Sequence, residues 1–154
     1  SKEEGLNQEA LNAAFQTLSA PEKRLKHLLE LAGPPEAKAW RAVVMPEDLM
    51  RLFSKVGVLK AESESLLKRR AAAGSALAKA LLEPQVLKLR EAGEEIAFQL
   101  SAELDPLVQT FPEVDHDIAA GADGAWMRVA VCQAHLAYLT KWQAQVRELL
   151  LGLM

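Results

Sequence analysis

Apolar residues recur at intervals of three and four along almost the whole chain, while strict alternation of apolar and polar positions is nearly absent. The pattern predicts helices from end to end. In a first helix over about 6–18, Leu11, Ala14, Phe15 and Leu18 share one side, and Ser19-Ala20-Pro21 ends it. Pro21 suits the first turn of a second helix, where its missing N–H costs nothing. Leu25, Leu28, Leu29 and Ala32 then face inward until Gly33-Pro34-Pro35 stops the helix. That Gly-Pro-Pro stretch is the clearest internal boundary in the chain.

Further on, Pro46-Glu47-Asp48 places a proline and two acids where a helix start favours them. Leu49, Leu52, Phe53 and Val56 line its face before Gly57. A long helix is expected over about 59–82, with Leu66, Leu67, Gly74, Leu77, Ala78 and Leu81 as its stripe, and Pro84 breaking or kinking it. The most regular period follows in Leu89, Gly93, Ile96, Ala97, Leu100, Leu104, Leu107, Val108 and Phe111, interrupted by a kink at Pro106. Residues 112–124, rich in Pro, Asp and Gly, read as a loop. A last helix over about 125–151 carries Val129, Cys132, Leu136, Leu139, Val146 and Leu150 toward a core, with His135, Tyr138, Trp142 and Leu149 in an adjacent row. The expected fold is therefore all-α. It has a helical hairpin over 1–33, a linker and short helix over 34–58, and an antiparallel three-helix bundle over 59–154.

With 154 residues and half of them hydrophobic, the chain has material for one domain or two small helical units with a real core. A net charge of -3 gives no general attraction to nucleic acid or anionic membrane, although residues 91–127 hold nine acids and no Lys or Arg. One cysteine, Cys132, cannot form an internal disulfide and fits a reducing, cytoplasmic setting. No apolar run approaches a membrane span of about 20 residues. The opening Ser1-Lys2-Glu3-Glu4 lacks the features of a targeting peptide and is read as the start of a processed or truncated piece.

Candidate chemistry is sparse. His27, His116 and His135 are isolated from one another and no Cys pair accompanies them, so no metal is expected. Asp115-His116-Asp117 reads as a solvated acidic loop. Cys132 falls on a core stripe, as a small buried hydrophobe would. No nucleophile elbow and no phosphate-cradling glycine motif is present, and Lys68-Arg69-Arg70 has no interleaved aromatics, so neither catalysis, nor a cofactor, nor nucleic-acid binding is expected. What remains is apolar surface. Val43-Val44-Met45 precede a helix start, and Tyr138 and Trp142 sit one position off a core stripe; brought together on the surface they would make a docking patch.

The segment Asn12-Ala13-Ala14-Phe15-Gln16-Thr17-Leu18-Ser19-Ala20-Pro21-Glu22-Lys23-Arg24 resembles the third helix and following turn of J domains. His27-Leu28-Leu29-Glu30-Leu31-Ala32-Gly33 continues as in co-chaperones of the HscB type, which serve iron–sulfur cluster assembly. The resemblance implies that Phe15, Leu18, Pro21, Lys23 and Arg24 belong to the remnant of a J domain. It also implies that the helical remainder binds a client, possibly an iron–sulfur scaffold protein, through Val44, Met45, Leu49, Tyr138 and Trp142. The His-Pro-Asp signature that engages a DnaK-type chaperone is missing together with the first two J-domain helices, and truncation is the expected reason. The alternative is a helical protein-interaction adaptor unrelated to chaperones.

Overall fold

The computed structural model describes residues 21–33 and 45–154. Among these the chain is all-α, with no strand. The helices are α1 (Pro21–Ala32), α2 (Glu47–Ala72), α3 (Ala76–Ala80), α4 (Glu83–Gln109), α5 (Phe111–Ala119) and α6 (Ala125–Leu153). They divide into two compact units. Residues 105–138 belong with α1 to the first, and residues 45–104 and 139–154 form the second, so the division falls inside α4 and inside α6. The expected helix of 6–18, with Phe15 and Leu18, lies outside the described residues, as does Val44.

The second unit takes its order from α2. Glu47 and Asp48 stand in the first turn, where the helix dipole favours acids, and both pair with Arg51, at 3.0 and 3.6 Å. Leu49, Leu52, Val56, Leu59, Ser63 and Leu66 are buried at spacings of three and four. Lys55 Nζ donates to Gln99 Oε1 at 3.0 Å near one end of the α2–α4 seam, and Arg69 Nη2 donates to Gln85 Oε1 at 2.8 Å near the other. Numbers that rise on one helix as they fall on the other make α2 and α4 antiparallel. The end of α6 runs with α2: the ring of Trp142 meets Phe53, and Leu153 meets Leu66 and Val86 in one cluster.

Several expectations about these elements are corrected. Gly57 does not end a helix, since α2 passes straight through it, and residues 47–58 belong to this long helix rather than to a short one of their own. The break comes instead at residues 73–75, where Ser75 caps α3 by accepting a hydrogen bond from the Ala78 N–H at 3.1 Å. Leu77 and Leu81, expected in a core stripe, are exposed on the five-residue α3. Pro84 breaks nothing, because it occupies the first turn of α4, where no N–H is required. Pro106 lies inside α4, which continues to Gln109.

In the first unit, residues 112–124 are not all loop. Pro112 sits in the first turn of α5, and a regular C-terminal cap closes this helix. The Gly121 N–H donates to the Ile118 carbonyl at 3.1 Å and the Ala122 N–H to the Asp117 carbonyl at 2.9 Å, with Gly121 at φ +67°. This is the Schellman arrangement, which needs a left-handed residue at that position. Leu25, Leu29, Val114, Val129, Cys132 and Leu136 are the larger buried residues of this unit.

Candidate functional site

The residues expected to form a docking patch separate into core and surface. Leu49 and Trp142 are only 4% and 3% exposed and belong to the core of the second unit. Met45 is half-buried before α2, and Tyr138 is exposed but falls in the first unit. The five residues Val44, Met45, Leu49, Tyr138 and Trp142 therefore do not make the exposed surface that their apolar character suggested. On α1, Pro21 is half-buried at the first turn, while Lys23 and Arg24 are exposed and contribute nothing to a core.

Trp142 is buried because its neighbour on the helix is polar. Spacings of three and four from Leu139 lead to Trp142 or Gln143, and Gln143 is used for a polar contact: its Nε2 lies 3.4 Å from Ser101 Oγ on α4. Filling the apolar seam on the α2 side falls to Trp142. Phe53 then covers the indole, with ring centroids 5.6 Å apart and planes inclined by 40°, within the range of favourable aromatic pairs.

Phe53, expected inside, is 58% exposed, and so is most of Met50 three residues before it. Both stand on α2, rimmed by the Glu47–Arg51 ion pair. This is the candidate site: a flexible thioether and an aromatic ring held outward on a long, regular helix, the ring fixed from beneath by a buried tryptophan. Met and aromatic side chains are the types that recur at the centres of protein interfaces, because they bury much apolar area at small conformational cost. The signal in the sequence was the phase of the buried residues. Leu49, Leu52, Val56 and Leu59 set the inner face, and Phe53 stands one position beyond it.

Among the described residues no group of three or more His, Cys, Asp or Glu could hold a metal ion. Asp117 is engaged rather than free in an acidic loop, its Oδ2 accepting from Arg128 Nη2 at 2.8 Å. No described helix is long and apolar enough to cross a membrane. Comparison with family models, curated proteins and solved structures finds no significant match to any of them.

Proposed function

We propose that this chain holds a folded protein partner through Met50 and Phe53 on α2, as the client-binding part of a co-chaperone of the HscB type. The observation that carries the reading is the exposed Phe53 ring supported on the buried Trp142. An aromatic ring that is already fixed loses little rotamer freedom on binding, which favours its use as an anchor. The J-like sequence over 12–33 supports the co-chaperone part of the proposal. In that mechanism the helical part keeps the client near a DnaK-type chaperone while a complete J domain stimulates ATP hydrolysis. Joining the two modules raises the effective concentration of client at the chaperone.

A second reading, an adaptor for a partner outside the chaperone system, is favoured by one observation: Leu49 and Trp142, which the resemblance assigns to client contact, are core residues. Two measurements separate the readings. Binding of a purified iron–sulfur scaffold protein by this chain, weakened at least about tenfold by Phe53→Ser, supports client holding. Single-turnover ATP hydrolysis by the DnaK-type chaperone, stimulated by the chain only when joined to a complete J domain, supports the co-chaperone assignment. No scaffold binding and no stimulation leave the adaptor.

A further inference from the structure

The net charge of -3 conceals a division along the chain. Residues 65–90 hold six Lys and Arg against one acid, Glu83, whereas the nine acids of 91–127 share their stretch with no Lys or Arg. The fold gathers the basic stretch at one end of the second unit, where α2 stops, α3 turns and α4 begins. Contacts between α2 and α4 fix this end: Arg69 Nη2 donates to Gln85 Oε1, and Leu66, Val86 and Leu153 close the core beneath. Glu83 pairs with Arg70 at 3.7 Å. Lys68, Arg69, Lys79, Lys88 and Arg90 have no acidic partner among the described residues. At about 1.5 Å per helical residue, those on α2 and α4 stand within about 11 Å of the helix ends that flank α3, close to one Debye length at physiological salt. Glu64 and Glu91, the next acids on α2 and α4, lie farther from α3, and on α6 Arg147 and Glu148 offset each other.

Apolar side chains project from the same end. Leu82 packs against the cluster of Leu66, Val86 and Leu153, and Ala78, one turn earlier, is half-buried. Leu77 and Leu81 stand one position before each of these and point away, 71% and 69% exposed. The Leu81 N–H donates to the Leu77 carbonyl at 3.0 Å, which sets the two side chains one above the other on one side. The Ser75 cap, accepting from the Ala78 N–H, fixes the start of this turn. A lone exposed leucine is ordinary, but a pair fixed one turn apart beside five unpaired cations is not.

We propose that this end of the second unit docks on an anionic lipid surface, with Leu77 and Leu81 in the headgroup layer and the five cations against the lipid charge. An interfacial anchor needs aliphatic side chains on a projecting turn flanked by Lys and Arg. The apolar area enters the acyl boundary while the long basic side chains reach the phosphates. Each cation close to such a surface strengthens binding roughly fivefold. Two other partners fit less well. Nucleic acid has no use for the leucines, and no aromatic ring stands among residues 65–90 to stack on a base. A protein interface draws on aromatic, Met and Arg side chains and is poor in Lys, whereas Lys68, Lys79 and Lys88 make up most of the cations here. Phe53 lies roughly 30 Å away along α2, so this surface is independent of the docking reading.

The test is co-sedimentation of the full chain with vesicles of phosphatidylcholine alone and of phosphatidylcholine mixed with phosphatidylserine. Binding to the mixed vesicles is expected to be at least about tenfold tighter, and to fall by a similar factor when salt is raised from about 0.1 M to about 1 M. Leu77→Gln with Leu81→Gln should weaken it at least about tenfold, and Lys68→Gln with Lys88→Gln by a similar factor. All four positions are exposed, which keeps loss of the fold out of the comparison. No binding to the mixed vesicles, equal binding to both kinds, or full binding by the leucine variant would overturn the proposal. So would equally tight binding of a short DNA duplex at the same salt, which would reassign the cations to polyanions in general.

Discussion

Gly93 and Leu150 stand so close that a side chain at position 93 must displace the leucine: a Cβ built on Gly93 would lie 2.7 Å from Leu150 Cδ2 and 3.5 Å from Leu59 Cδ2. Glycine at this point lets α4 approach α2 and α6 in the second unit. Helix propensity alone favours alanine there by about 1 kcal/mol. The nearest atom is the end of a flexible side chain, so Gly93→Ala should come out within about 1 kcal/mol of the unaltered chain. Gly93→Val, with two further carbons and no space, should cost about 2–3 kcal/mol. Urea denaturation of both variants checks the contrast, and a valine variant as stable as the alanine one would show that the seam is loose.

Ser63 is completely buried on the inner face of α2, and its hydroxyl has no partner. An unsatisfied buried hydroxyl carries its desolvation cost without return, and serine is also the poorer helix former. Ser63→Ala should therefore stabilise the chain, by about 1 kcal/mol, seen as a higher urea midpoint with an unchanged slope. Loss of stability in this variant would mean that the hydroxyl has a partner after all.

Gly121 closes α5 at φ +67°, a conformation that costs an L-residue roughly 1–2 kcal/mol. Space is not the issue, because nothing lies within 4 Å of an added Cβ. Gly121→Ala should lower stability by about 1 kcal/mol, while Gly121→Asn, which tolerates the left-handed region better, should lose less. Equal losses in the two variants would rule out backbone conformation as the cause.

His135 makes stability depend on pH. Burial depresses its pKa below the ordinary value of 6.5, so the unfolded chain takes up a proton that the folded one resists. The folded state is at its full advantage above pH 6.5 and loses it as the pH falls through 6.5 toward the folded-state value. Glu113 and Asp117 from α5, and Arg128 and Cys132 from α6, line a cavity with His135 and remain in the comparison variant. Between pH 7.5 and 5.5 the unaltered chain should lose more stability than His135→Phe. Parallel losses in denaturation midpoints would assign the slope to other groups.

Read from the sequence, α6 and most of α4 were nearly complete. Their apolar stripes are long, and Val129, Cys132, Leu136, Leu139 and Val146 are all buried as the period requires. The limits of α2 and α3 were less legible. The apolar spacing of Leu66 to Leu81 runs on past Gly74 although the chain turns there, and the serine cap at Ser75 was the local sign. At α5, proline and acidic residues looked like loop, yet the same residue types favour the first turn of a helix and here open one.

The sequence by itself determined that the chain is helical, because helical period and helix-terminating residues are local properties carried by neighbours three and four positions apart. It also gave Cys132 its buried place, since the cysteine lies on a long, unambiguous stripe. Tertiary structure alone decided which of two adjacent apolar positions faces a partner helix. Trp142 went inside because Gln143 is committed to Ser101, and Phe53 came out because Leu52 and Val56 fill the seam. That choice depends on the relative rotation of packed helices, which is set by all their contacts together. The exposed ring at Phe53 and the outward leucines of α3 could be read only after those contacts were formed.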